Sequence, residues 1–217
     1  MLMSVALANL KPGTGKTTTT VLLAYALHAR GYDVALADCD PAGSALAWSD
    51  AVGGFPFGIY GLAVKDAGRR LAGIAGPQTI VVADTPQAED HGAIVRSVLR
   101  HVDEITIPVA PSTIEVERTS GIGDVLDEVA EVRASPARVA VLLNRVVGSA
   151  RSGGDVREAL TSLGYEVLGP QIPRREVYAL AYGATPRITP GDPVDLLAEC
   201  YLTRAGLPMK GPNGAAA

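Results

Sequence analysis

Leu10-Lys11-Pro12-Gly13-Thr14-Gly15-Lys16-Thr17-Thr18 decides the fold of this chain. Before it stands an apolar run, Ser4-Val5-Ala6-Leu7-Ala8-Asn9, which reads as a buried strand. After it, residues 17–30 read as a helix closed by Gly31. Strand, glycine-rich loop and helix in that order make a phosphate-binding loop. Backbone N–H groups from Gly13, Thr14, Gly15 and Thr18 would curl around an anion, and the helix start adds positive dipole. Lys16 would reach the β- and γ-phosphates of a nucleotide, and the Thr17 hydroxyl would ligate Mg²⁺. A chance Gly-Lys-Thr in an ordinary loop would not carry this strand and helix around it.

Working outward, Val34-Ala35-Leu36-Ala37-Asp38 reads as a second buried strand, followed by Cys39-Asp40-Pro41-Ala42-Gly43-Ser44. An Asp-x-Asp at the carboxyl end of a strand places both carboxylates where open α/β sheets bind ligands. The plainer reading is that Asp40 or Ser44 caps the next helix. Cys39 falls between the two acids and should alternate away from them. Further on, Thr79-Ile80-Val81-Val82-Ala83-Asp84-Thr85-Pro86 is another apolar strand tipped with acid. Asp84 would hold Mg²⁺ beside the phosphate loop.

The rest of the chain keeps alternating. A short strand is expected over 59–64 and a short helix over 65–74. Helical spacing of Ile94, Val95, Val98, Leu99 and Val102 gives the next helix, and residues 104–109 the next strand. A helix is expected over 113–134, a strand over 139–143 ending at Asn144-Arg145, a helix over 152–163, a short strand over 166–168 and a last helix over 194–204. This pattern predicts a single doubly wound α/β domain, with a mostly parallel sheet of about seven strands, over residues 1–210. Residues 211–217 are expected to be a disordered tail.

With 217 residues and 47% hydrophobic content, the chain can bury a sizeable core. Cys39 and Cys200 supply neither a disulfide framework nor a metal-binding pair, which fits a reducing cytoplasm. No apolar run approaches bilayer length, and with the first strand expected from the opening residues neither a signal peptide nor a separate DNA-reading domain is expected. Net charge is −4, yet residues 1–132 hold 9 Lys/Arg against 16 Asp/Glu, while residues 133–217 hold 10 against 7. The asymmetry is consistent with a basic face in the C-terminal part or with scattered solvated arginines.

Lys11-Pro12-Gly13-Thr14-Gly15-Lys16-Thr17, with its early second lysine, resembles the deviant phosphate loop of the ParA family of partition ATPases, in the wider ParA/MinD group. Asp38-Cys39-Asp40-Pro41 resembles that family's Asp-x-Asp-Pro, and Asp84-Thr85-Pro86 its second acidic strand. Pro108-Val109-Ala110-Pro111-Ser112 resembles its Pro-x-x-Pro-Ser turn. Ile172-Pro173-Arg174-Arg175-Glu176-Val177-Tyr178, then Gly183-Ala184-Thr185-Pro186, is similar to the smaller members that lack a helix-turn-helix domain. The chain departs from the family at Pro12, usually glycine, and at Ala42, usually glutamine. Pro12 fixes φ and removes one N–H, so phosphate-facing donors should begin at Gly13.

The resemblance implies a Mg²⁺-ATP-dependent ATPase, cytoplasmic and nucleoid-associated, that dimerises around ATP and binds DNA without sequence preference. A small centromere-binding partner would stimulate hydrolysis, and the biological role would be plasmid or chromosome partitioning. By the same resemblance Lys11 crosses to the partner's nucleotide, Asp40 orients the attacking water, and Asp38 supports the metal's outer shell. Asn144 stands where the family contacts adenine, although a turn-forming asparagine reads equally well. Pro173 belongs with the nucleotide-binding positions. Arg151, Arg174 and Arg175 are the expected DNA contacts. The main alternative is a related ATPase that positions protein cargo on the nucleoid. A membrane-cycling relative is disfavoured because its amphipathic C-terminal helix would have to be basic, whereas residues 194–202 carry Asp195 and Glu199. A small-molecule ligase of the dethiobiotin-synthetase type would not explain Lys11.

Overall fold

The structure, a computed structural model, describes residues 1–147 and 150–210, without the side chains at 113, 114, 117, 118, 120 and 150–153. The tail expected at 211–217 lies outside the described residues. In chain order the elements are β1 (Met3–Asn9), α1 (Lys16–Ala29), β2 (Asp33–Asp38), α2 (Ser44–Ala51), β3 (Gly58–Gly61) and α3 (Ala67–Arg70). A 3₁₀ turn (Leu71–Ile74) leads into β4 (Thr79–Gln87), α4 (Ala88–Leu99), β5 (Glu104–Val109), α5 (Thr113–Ala130) and β6 (Arg138–Val146). The chain continues through α6 (Ala150–Ser162), β7 (Ile172–Pro173), α7 (Glu176–Ala179) and α8 (Pro193–Arg204).

Among the described residues the sheet has seven strands in the order β3-β2-β4-β1-β5-β6-β7, all parallel. Strict alternation along each strand feeds two cores, one on each face. From β1, Val5 and Leu7 point to one side with Ile80 and Val82 of β4, against Leu23 and Leu27 of α1, Trp48 of α2 and Leu197 and Tyr201 of α8. Ala6 and Ala8 point to the other with Val81 and Ala83, against Val95 and Leu99 of α4 and Val125 and Val129 of α5. Each large aliphatic side chain so buried stabilises the fold by roughly 1.5–3 kcal/mol. Arg30, at the end of α1, donates to Asp195 of α8 at 2.7 Å, which fixes the last helix on the first.

Three expectations need correction. Residues 166–168 form no strand; Val167 makes a single parallel bridge to Val141, and the seventh strand is Ile172–Pro173. The helix expected over 65–74 is split between α3 and the 3₁₀ turn, because Gly73 and Gly76 leave too few residues with helical preference to carry it on. The helix expected over 113–134 stops at Ala130, ahead of Pro136.

The functional end of the sheet follows from its topology. β1 lies at the centre, with β4 on one side and β5 on the other. The loops after β1, β2, β4, β5, β6 and β7 therefore open at one carboxyl edge, the place where open α/β sheets take ligands.

Candidate functional site

The loop between β1 and α1 is built on two left-handed glycines, Gly13 at φ 76° and Gly15 at φ 83°. Gly15 has a second constraint: a Cβ there would lie 2.7 Å from Asn144 Nδ2. That side chain, almost fully buried at the end of β6, donates to Thr14 O at 2.9 Å and to Thr19 Oγ1 at 3.2 Å. Its Oδ1 accepts from the N–H of Arg145 at 2.9 Å. The Arg145 guanidinium in turn donates to Gly13 O. Among the described residues, no hydrogen-bond partner receives the N–H groups of Gly13, Thr14 or Gly15. A ring of unpaired N–H groups at a helix start is an anion site.

Lys16 stands in this cradle, 7% exposed, with Nζ donating to Lys11 O at 3.2 Å. Burial lowers its pKa, while the carboxylates of Asp84 and Asp40 pull the other way. Thr17 sits beside Asp84 and favours that group's charged form. Neither oxygen of Asp84 meets a hydrogen-bond partner in good geometry, although the residue is fully buried. Burial raises Asp84 to about 7, with repulsion from Asp38 and Asp40 added to it and Thr17 and Lys16 opposing.

Asp38 is different. Its Oδ1 accepts from Asp40 N at 3.2 Å and its Oδ2 from Leu46 N at 3.0 Å, so both oxygens are occupied. The first N–H groups of α2 are thus met by Asp38, reaching from the strand, and not by Ser44 or Asp40. The N-cap residue itself is Gly43, with no side-chain cap. Asp40 is half-buried and turns its Oδ1 to Ala42 N at 2.9 Å. Cys39 points into the core with Ala37 and Ala83, away from Asp38.

An orphaned buried carboxylate beside a threonine hydroxyl and a lysine fits a divalent cation. Among the described residues, no cluster of three or more His, Cys, Asp or Glu could hold a metal without help. Such a cation would need oxygens from a bound phosphate to complete its shell.

Next to the loop lies a cavity of about 320 Å³, whose walls include Thr18, Leu22, Asn144, Ile172, Pro173 and Tyr178. It has the size of a nucleoside pocket and a mixed lining, with Leu22, Ile172 and Pro173 apolar and Thr18, Asn144 and Arg145 polar. Asn144 lines this cavity, but its amide is spent on the phosphate loop. Arg174 and Arg175 stand exposed on its rim, with no ion pair among the described residues. Position 151 falls within α6 and not in a loop, and the Arg151 side chain lies outside the described residues. Lys11 lies at the loop's edge, half exposed, with Nζ 3.9 Å from Glu89 Oε1.

Sequence reasoning gave no site role to Arg145, Tyr178 or Glu89. The first makes its contact 132 residues away, and Tyr178 is held by Asp192 at 2.9 Å, so neither partnership leaves a local pattern. Glu89 reads as an ordinary first-turn acid of α4.

Residues 5–185 match the CobQ/CobB/MinD/ParA nucleotide binding domain. The chain is 35% identical over 187 residues to the Maintenance of carboxysome distribution protein A of Gloeobacter kilaueensis, covering 84% of this chain and 79% of that one. It is 26% identical over 192 residues to Protein ParA of Rhizobium radiobacter, covering 82% of this chain and 81% of that one. Among solved structures, cobyrinic acid a,c-diamide synthase from Mycobacterium smegmatis, with bound ATP analogue and magnesium, has the same fold. Its TM-score is 0.72 at 18% identity, over 97% of this chain and 98% of that one.

Proposed function

The chain belongs to the CobQ/CobB/MinD/ParA nucleotide-binding domain family, and from that premise we propose that it is a Mg²⁺-dependent, ParA-like ATPase that positions a large protein cargo over the nucleoid. The observation that carries the cargo reading is its likeness to a carboxysome distribution protein over most of both chains.

The phosphate loop supports ATP binding. Lys16 and the open N–H groups of Gly13 to Gly15 hold the phosphates, and the cavity beside Ile172 and Pro173 takes the nucleoside. Thr17 and Asp84 would hold Mg²⁺, which would neutralise charge on the phosphate oxygens. Asp40, half-buried in the loop after β2, orients the attacking water. Asp38 is a support: its two oxygens tie the Asp40 backbone and the start of α2 to the strand. Water adds to the γ-phosphorus, the bond from that phosphorus to the β,γ-bridging oxygen breaks, and the products are ADP and inorganic phosphate. Lys11 reaches a second copy's nucleotide, so ATP binding makes the dimer and hydrolysis releases it. The dimer binds DNA without sequence preference through Arg174 and Arg175, and a partner protein stimulates hydrolysis.

The second reading, DNA partitioning, is favoured by the likeness to Protein ParA. Deleting the gene in its own host separates the two. The cargo reading predicts that large protein assemblies lose their even spacing while replicons are inherited normally. Normal spacing with frequent loss of a replicon would overturn it.

A further inference from the structure

Arg145 is the one non-glycine residue with positive φ among the described residues, at 57°. Arginine gains nothing from the left-handed region, and a residue held there against its preference points to a function for the strain. The cause is local. Between Asn144 and Val146 the register of β6 against β7 shifts, with Asn144 opposite Ile172 and Val146 opposite Pro173, so Arg145 is the bulged residue. A bulge re-aims a side chain, and this one turns the guanidinium out of the sheet onto Gly13 O.

The consequence follows from the planarity of the peptide. In a trans peptide the C=O of one residue and the N–H of the next point in opposite directions. Holding Gly13 O from β6 therefore sends the Thr14 N–H to the other side, and holding Thr14 O through Asn144 does the same for the Gly15 N–H. Both N–H groups lack a partner among the described residues. Without these clamps, a loop with two left-handed glycines has many other arrangements open to it.

We infer that Arg145 is a positioning residue for phosphate binding: it clamps the Gly13 carbonyl so that the loop presents its N–H groups before any nucleotide arrives. This rests on the nucleotide reading given above. The cost of the bulge is met once, in folding, and the ordering cost is then absent from binding.

Arg145→Gly suits the backbone and removes the clamp, while Arg145→Lys keeps a cation that can donate one hydrogen bond to the carbonyl. Melting temperature without ligand, calorimetric affinity for Mg²⁺-AMPPNP and hydrogen exchange of the Thr14 and Gly15 amides are compared, with Lys16→Ala as control. Arg145→Gly should melt no lower than wild type, exchange those two amides differently without ligand, and bind about 10- to 100-fold more weakly, the worth of one hydrogen bond to a charged donor. Arg145→Lys should recover part of the affinity. Arg145→Gly binding as tightly as wild type overturns the inference, as does a fall in melting temperature together with a loss of affinity that lysine does not restore. Unchanged amide exchange with weakened binding also overturns it, since that marks a direct ligand contact. If wild type itself fails to bind, or Lys16→Ala binds equally well, the nucleotide reading has failed instead.

Discussion

Asp38 of β2 and Asp84 of β4 are register partners on adjacent parallel strands, so two buried carboxylates stand side by side at the carboxyl edge of the sheet. Their surroundings divide the work. Asp38 has both oxygens hydrogen-bonded to backbone, whereas neither oxygen of Asp84 has a hydrogen bond in good geometry, although Thr17 sits beside it. Burial raises Asp84 from 3.8 to about 7, so between about pH 4 and pH 7 the folded state holds a proton that the unfolded state has released. For a carboxyl raised in this way, stability is fully present at the acid end of that window and is lost as pH rises through it. The melting temperature of metal-free, nucleotide-free wild type, minus that of Asp84→Asn, should therefore fall from pH 4 to pH 7. A flat difference would mean that Asp84 is not desolvated.

Asp40 and Lys11 should separate chemistry from assembly. Asp40→Ala loses only water orientation, so it should bind ATP normally and hydrolyse it about 10²- to 10⁴-fold more slowly. Lys11→Ala should slow hydrolysis and weaken the ATP dimer together. The Lys11–Glu89 contact, at 3.9 Å and half exposed on both sides, is worth at most about 1 kcal/mol. Glu89→Ala should accordingly leave the melting temperature near that of wild type, as a thermal scan would check.

Cys39 is fully buried on the opposite side of its strand from Asp38. Burial pushes its thiol upward, and Asp84, Asp38 and Asp40 add to the effect. Iodoacetamide at pH 8 should leave Cys39 unmodified in the folded protein and label it once the chain is unfolded, as peptide mass spectrometry would show. Rapid native labelling would contradict this placement in the core.

Arg174 and Arg175 are exposed and free of ion pairs among the described residues, so surface pairing with Glu176 does not account for them. Arg174→Ala with Arg175→Ala should weaken DNA binding by the ATP-bound form on all sequences alike. Each lost phosphate contact should reduce the slope of log affinity against log salt by about one unit. Equal binding by the double variant at every salt concentration would place the DNA contact elsewhere.

What the sequence made legible were the features written locally. The phosphate loop, the acid-tipped strands at Asp38 and Asp84, and the alternating apolar runs each fit within a dozen residues and fix the sheet and its functional edge. The bracing of the loop was not legible, because Asn144 and Arg145 make it across 125 to 132 residues of chain. The resemblance implies an adenine contact for Asn144; in the structure Asn144 lines the cavity and its Nδ2 donates to Thr14 O and Thr19 Oγ1. The edge strand was misplaced for a related reason. Residues 166–168 have strand-like composition but meet β6 in a single bridge, Val167 to Val141, whereas Ile172–Pro173 pairs with it at two positions, so pairing and not propensity decides it.

ATP should act as an assembly switch. Sedimentation velocity of Asp40→Ala, which should hold ATP without turning it over, tests this most directly when run with and without saturating Mg²⁺-ATP. The predicted result is a monomer without nucleotide, a dimer with it, and a monomer again when Lys16→Ala is added. A monomer at saturating Mg²⁺-ATP, or a dimer indifferent to nucleotide, would contradict it.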